Sequence, residues 1–211
     1  MIIAVDGPTA SGKGTIAKAL AAHFGLPHLD TGLLYRAVGK QVVQAGGDPD
    51  SPADALAATE FPDSLLDDPD LRNEVTGSLA SRVSIHPAVR QALFARQRSF
   101  ATQAGGAVLD GRDIGTVIAP EAQVKLYVTA SVEVRAQRRC AEMRDAGREV
   151  SLDEMMADLA ARDERDTNRN DAPLMVAPDA LLIDTTSLGK DAAIAAAVDA
   201  VNSATGQQPC P

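Results

Sequence analysis

The chain has 211 residues, 45% of them hydrophobic, which is enough to bury the core of one domain without disulfides or metal staples. Asp and Glu number 29 against 20 Lys and Arg, a formal net charge of −9, which argues against a non-specific nucleic-acid binder but leaves room for a local cluster of arginines. Aromatic residues make up only 3% and Trp is absent, so a base-stacking platform is not expected.

In chain order, Ile2–Val5 is a short apolar run of the kind that forms a buried strand. A glycine-rich stretch, Gly7-Pro8-Thr9-Ala10-Ser11-Gly12-Lys13-Gly14-Thr15, separates it from a predicted helix over Lys13–Phe24. A weaker strand over Pro27–Leu29 precedes a helix over Leu33–Gln44. The next segment, Gly46–Pro69, carries four prolines and many Asp and reads as a surface insertion with little β pattern, a helix resuming near Leu71–Ser84. Pro87–Gln103 is a helix with Val89, Leu93 and Phe100 at helical spacing.

Strands follow over Ala107–Leu109 and Val124–Val128. Ser131 is the expected N-cap of a helix over Val132–Ala146 and Gly147 its C-cap. Ser151-Leu152-Asp153-Glu154 is a capping box opening another helix. A strand over Leu181–Ile183 and an Ala-rich helix over Ala192–Asn202 complete the pattern, with a frayed tail over Ser203–Pro211. Five strands alternating with helices predict an α/β fold, a five-stranded parallel sheet with helices on both faces. The two cysteines, Cys140 and Cys210, read as free thiols of a reducing compartment. The N-terminus lacks a basic, apolar leader, and no apolar run approaches the ~20 residues of a membrane span. A soluble, cytoplasmic, monomeric protein is the expectation.

The Gly7–Thr15 stretch lies between a strand and a helix, the context a phosphate-binding loop requires. Backbone must wrap an anion closely there, so Cβ atoms are unwelcome at the turns. The loop N–H groups and the helix N-terminus face the phosphates, and Lys13 adds a mobile positive charge. The usual hydroxyl after the Lys is displaced by Gly14, so Thr15 is the expected Mg²⁺ ligand. Such a loop says nucleotide, not function. A kinase with a second phosphate site and a switch GTPase or regulatory binder both use it. No Asn-Lys-x-Asp guanine-reading motif is present in the sequence. A kinase needs further cations, and 15 of the 20 basic residues are Arg, eight of them from Arg135 to Arg169. Eleven acids share the stretch from Glu133 to Asp171, so Arg144 and Arg148 read as exposed ion-paired residues. His23, His28 and His86 have no metal-ligand spacing and read as structural or solvent-facing.

Three further motifs accompany the loop: Asp30-Thr31-Gly32-x-x-Tyr35-Arg36, Asp110-Gly111-Arg112-Asp113-x-Gly115-Thr116, and Arg162-Asp163-x-Arg165-Asp166-x-Asn168-Arg169. In this order they resemble the bacterial cytidylate kinases, from Ile2 to about Asp184. The resemblance implies a P-loop nucleotide kinase fold with a small acceptor-binding insertion (37–86) and a short lid (135–150). It implies transfer of the ATP γ-phosphoryl group to CMP or dCMP with Mg²⁺; a UMP/CMP kinase or a non-catalytic nucleotide sensor are the alternatives.

It further implies that Thr31, Tyr35 and Arg36 line the acceptor site and that Ser81 and Arg90 read the cytosine. Arg112 and Arg169 would be phosphate ligands, and Arg162 and Asp166 would hold the acceptor sugar and phosphate, with Lys13, Arg112, Arg162 and Arg169 the catalytic cations. Asp113 would face the base: a carboxylate accepts from the cytosine amine but meets a carbonyl oxygen in uracil. A helix N-cap is its other reading. Asp110 is either a carboxylate near Mg²⁺ through water or a turn acid. No general base is expected, because a phosphate oxygen is already anionic.

Overall fold

The computed structural model describes residues 1–145 and 147–206. All five expected strands form: β1 (Ile2–Asp6), β2 (His28–Asp30), β3 (Ala107–Gly111), β4 (Val124–Thr129) and β5 (Leu181–Asp184). They make one sheet in the order β2-β3-β1-β4-β5. β1 pairs in parallel with β3, Val5 opposite Asp110, and with β4, Val5 opposite Leu126; β4 pairs in parallel with β5. β1 is central and buried along its whole length, which is why its sequence is apolar without alternation. Ile3 and Val5, with Val108, Val124, Leu126 and Val128, share a core with Ile16 and Leu20 of α1 (Lys13–Phe24) and Ala197 and Val201 of α8 (Lys190–Thr205). β1 lies between β3 and β4, and the chain passes from one side of β1 to the other between these two strands. The carboxyl ends of these strands therefore flank a crevice, the place where doubly wound sheets bind ligands.

The chain divides into two compact units, one of Met1–Leu29 with Ala101–Pro211, the other Asp30–Phe100. The expected insertion, 37–86, lies within the second. That unit is built from α2 (Thr31–Gln44), α3 (Pro52–Ala57), α4 (Glu74–Val83) and α5 (Pro87–Ala101), whose last residue belongs to the first. Gly46–Pro69 is mostly exposed and holds no strand, as expected of a surface insertion, but it is not irregular throughout. It folds into α3 and two short 3₁₀ turns, Asp63–Asp67 and Pro69–Arg72, and it buries Ala55, Ala58 and Phe61. The prolines that suggested breaks are helix starts. Pro52 follows the N-cap Ser51, whose hydroxyl accepts from Asp54 N at 3.3 Å, and Pro69 follows Asp68, whose carboxylate accepts from Asp70 N at 2.9 Å. For the same reason α4 begins at Glu74, capped by Asn73, and not at Leu71. α2 and α4 meet at Gly39, where a Cβ would lie 2.6 Å from that of Leu79.

In the first unit, α6 (Val132–Asp145) opens on Ser131, whose hydroxyl accepts from Val134 N at 3.2 Å. Beyond α6, Gly147 has a positive φ of 74°, and Gly147 N and Arg148 N reach back to Arg144 O and Met143 O at 2.9 Å each, a Schellman stop. The expected capping box of α7 (Leu152–Asn168) is complete, Ser151 and Glu154 each bonding the other's backbone N–H. α6 and α7 share a small core of Ala136, Met143, Met155 and Leu159. The tail expected to fray from Ser203 is still helical to Thr205, because Val201 and Asn202 are buried and the Thr205 hydroxyl donates to Val201 O at 2.9 Å. The remainder of that tail, with Cys210, lies outside the described residues. Cys140 is a free, half-buried thiol. No helix among the described residues is long and apolar enough to cross a membrane.

Candidate active site

The phosphate loop joins β1 to α1. Its first turn is set by Gly7, where a Cβ would lie 2.0 Å from Val128 O of the neighbouring strand; only a glycine lets the loop leave the sheet at this point. Two further left-handed residues, Ala10 (φ 61°) and Gly12 (φ 92°), complete the curl. Ala10 pays for this conformation on the order of 1 kcal/mol, strain of the kind that collects at ligand sites. Gly12 is the N-cap of α1 and offers no side-chain cap, so the first N–H groups of the helix are left for an anion. Lys13 lies back along the loop, Nζ donating to Pro8 O at 3.3 Å. Ser11 is fully buried in the loop wall, and its Oγ has no hydrogen-bond partner among the described residues. Thr15 is exposed on the first turn of α1.

Around this loop the first unit gathers most of the predicted phosphate ligands. Arg112 follows β3; its Nη2 donates to Thr9 Oγ1 at 2.6 Å and its Nε to Asp166 Oδ2 at 2.7 Å. Asp166 is buried on α7 beside Arg162 and Arg169. Burial pushes its carboxyl up, but Arg112, with Arg169 and Arg162, more than offsets this and holds it below the ordinary carboxylate range. Arg162 has Asp158 Oδ2 at 3.9 Å. Arg169 donates from Nε to Ala172 O at 2.6 Å and lies 3.7 Å from Asp113 Oδ1 and 4.0 Å from Asp166 Oδ1. Asp113 is buried, occupies the N-cap position of a π-type turn over Ile114–Ile118, and makes no side-chain cap bond, so its carboxylate serves the arginine cluster and not the turn. Asp110, at the end of β3, is buried; its Oδ2 lies 3.6 Å from where a Cβ on Gly14 would stand, at the start of α1, and its Oδ1 is 2.7 Å from His28 Nε2.

The second unit carries the other predicted acceptor residues. Thr31 is the buried first residue of α2. The Arg90 guanidinium stands 5.8 Å from the centre of the Tyr35 ring, and both residues are buried. Ser81 is buried, and its Oγ has no hydrogen-bond partner among the described residues, a cost that a bound polar ligand would remove. Arg36 differs from a purely ligand-facing residue. Its Nη1 donates to Leu71 O at 2.9 Å and Asn73 O at 2.8 Å, and the guanidinium packs on Gly77, so it also ties α2 to the start of α4.

Several functional contacts escape the motifs. Arg135 and Arg138, within the expected lid (135–150), are anchored. Arg135 is buried, donating to Thr9 O at 3.1 Å and, in a fork, to Asp163 at 3.2 and 2.5 Å. Arg138 donates to Thr185 Oγ1 at 2.9 Å, and that hydroxyl donates to Ser11 O at 2.9 Å, so both arginines brace the phosphate loop. The histidines make structural contacts, as expected: besides His28, buried His86 has Nε2 2.9 Å from Pro49 O, while His23 stacks edge-on to Phe24. Asp6 is the largest omission. It is 5% exposed, its Oδ1 accepts from Ile114 N at 2.9 Å, and its Oδ2 accepts from Gly115 N at 2.8 Å. Burial pushes its carboxyl up to about 7, with the Asp113 charge adding and the two N–H bonds opposing. An acid that ends an otherwise apolar buried strand is the signal by which the sequence marks it.

A family model described as "Cytidylate kinase" matches residues 3–203. A cytidylate kinase from Caulobacter sp. (strain K31) is 55% identical over 197 residues, covering 93% of this chain and 91% of that protein. One from Cereibacter sphaeroides (strain ATCC 17023) is 56% identical over 199 residues, 94% of each chain. In fold alone, the chain is similar to the crystal structure of an uncharacterized protein from Eubacterium ventriosum ATCC 27560, with a TM-score of 0.56 at 16% identity, covering 96% of this chain and 99% of that one.

Proposed function

The chain belongs to the cytidylate kinase family, and on that premise we propose that it transfers the γ-phosphoryl group of ATP to CMP or dCMP, giving ADP and CDP or dCDP. An oxygen of the acceptor phosphate forms the new bond to the γ-phosphorus as the bond to the β-bridging oxygen breaks. The attacking oxygen is already anionic, so no side chain need remove a proton. The residues have instead to hold two like-charged phosphates together and to exclude water. The single observation that carries this reading is the chain Thr9–Arg112–Asp166. It ties the phosphate loop to α7, where Asp166 lies among Arg112, Arg169 and Arg162, which supports a reading in which donor-side and acceptor-side cations act together.

On the donor side, the loop N–H groups from Gly7 to Thr15 and Lys13 take the ATP phosphates. Arg112, Arg162 and Arg169 take the acceptor phosphate and the transferring group, and Asp166 with Arg162 takes the acceptor sugar. Thr31, Tyr35 and Arg36 line the acceptor, and Ser81 and Arg90 read the base. Asp113 accepts from the cytosine amine. The Thr15 hydroxyl, and Asp110 through water, are oxygen donors that suit a hard dication keeping several waters. They would hold Mg²⁺, which when bound neutralises charge on the β- and γ-phosphates. An ADP-release assay across CMP, dCMP, UMP and AMP tests the reading. CMP and dCMP are expected to exceed UMP and AMP in kcat/KM by on the order of 10²–10⁴. Equal use of UMP would remove the cytosine assignment.

The lid is the tip of the α6–α7 hairpin. Arg135 and Arg138 are bonded inward, so the moving part begins after them and turns at Gly147. Amide exchange over residues 139–149 is expected to slow when a bisubstrate nucleotide is added, while β4 barely changes. Equal slowing of both segments, or of neither, would make this a static hairpin.

A further inference from the structure

Asp6 belongs to none of the motifs that carry the family resemblance, yet it makes the most specific contact at the Asp113 loop. Its two carboxylate oxygens accept from the two amides that follow Asp113, those of Ile114 and Gly115, at 2.9 and 2.8 Å. Asp113 itself has φ −142° and ψ 25°, outside the regular helix and strand regions. The turn after it is closed by Val117 N and Ile118 N on Asp113 O, at 2.9 and 3.1 Å. Asp6 therefore clamps this turn from the central strand, one residue before the phosphate loop begins. The fit is tight. A Cβ on Gly115 would stand 3.4 Å from Asp6 Oδ2 and 3.1 Å from the Lys125 side chain, so glycine at this position lets the amide reach the carboxylate.

We propose that Asp6 is a positioning residue for acceptor specificity: by holding the Ile114 and Gly115 amides it fixes the orientation of the Asp113 carboxylate, and so sets the discrimination between cytosine and uracil monophosphates. This rests on Asp113 reading the base. A loop pinned at two adjacent amides cannot shift its backbone to carry the Asp113 carboxylate away from the uracil carbonyl. A loosened loop can, and it also presents the carboxylate less well to the cytosine amine. A merely structural Asp6 would lower the amount of active enzyme for every acceptor alike and leave the ratio between acceptors unchanged.

Asp6→Asn is nearly isosteric, but its amide group offers a donor where a backbone N–H needs an acceptor. It is expected to lower the ratio of kcat/KM for CMP over UMP by about tenfold, the scale of one hydrogen bond, and to leave the KM for ATP unchanged. Asp113→Asn is measured beside it and is expected to lower the same ratio. The double variant is expected to match Asp113→Asn alone, because Asp6 acts through Asp113. If Asp113→Asn lowers the ratio and Asp6→Asn does not, the positioning role is overturned while base reading stands. If Asp113→Asn leaves the ratio unchanged, base reading fails and the positioning role with it. Should Asp6→Asn not fold, Gly115→Ala pushes on the same contact from the loop side and is expected to lower the ratio; an unchanged ratio in that variant overturns the proposal.

Discussion

Arg112→Ala is expected to cost about 3 kcal/mol of folding stability at neutral pH and to lower turnover by on the order of 10²-fold. The guanidinium holds Asp166 through Nε at 2.7 Å and the phosphate loop through Thr9 Oγ1 at 2.6 Å. Without it, the Asp166 carboxylate is left buried beside fewer cations, which is the costly way to break a buried pair. The Arg112 side chain is 21% exposed, which places the cost at the lower end of the range for buried pairs. The sign of the pH dependence follows from Asp166. Its carboxyl is held below the ordinary carboxylate range, so in the parent the pair stabilises at neutral pH, and this contribution is lost as the pH falls through and below that range. The variant should lose that acid-side slope. Denaturant melts at pH 7 and near pH 3 read both effects. The double variant Arg112→Met with Asp166→Leu should recover much of the stability and none of the turnover, since apolar residues replace the pair in packing but not in charge. A cost below about 1 kcal/mol in the single variant would mean the network contributes little to the fold.

Lys13→Ala is expected to lose roughly 10²–10³ in turnover, about 3–4 kcal/mol of transition-state stabilisation, with the melting temperature unchanged. Lys13 is half-buried at the start of α1, and its Nζ lies back on Pro8 O at 3.3 Å, a contact long enough to yield to a phosphate oxygen. Its removal leaves the backbone curl intact, because that curl is set by Gly7, Ala10 and Gly12. Single-turnover phosphoryl transfer with circular dichroism on the same sample separates loss of chemistry from loss of fold. Retention of more than a tenth of the parent turnover would move the donor-side charge from Lys13 to the arginines.

The strands β1, β3 and β4 were legible because they are buried, whereas β2 is half-buried and β5, at the sheet edge, leaves Leu181 and Leu182 exposed. An apolar run of three to six residues between polar segments leaves few other solutions, and all five appear in the sheet. The caps were legible at Ser131, Ser151 and Gly147 because they are local chemistry, a hydroxyl or a missing Cβ within three or four residues of its partner. The short helical turns within Gly46–Pro69 were not legible because proline carries two local meanings, break and first helical residue. Only the burial of Ala55, Ala58 and Phe61 decides between them.

The candidate site divides along the same line. The glycine-rich loop, Arg112, Asp113 and the Arg162–Arg169 run are contiguous motifs, and their residue types announce phosphate chemistry before any fold is known. What these groups bond to is not contiguous. Asp6 reaches Ile114 and Gly115 across 108 and 109 positions of chain, Arg112 reaches Asp166 across 54, and Thr185 reaches Ser11 across 174. The amino-acid sequence alone determined the α/β sheet, the family and the kinds of charge at the site. The tertiary structure alone decided what each arginine bonds to: Arg135 and Arg138 brace the phosphate loop, while Arg169 lies against Asp113 and Asp166. Arg135 and Arg138 have the same side chain as Arg162 and Arg169, and only the carbonyls, hydroxyls and carboxylates brought beside them by the parallel sheet and the α6–α7 packing distinguish their partners.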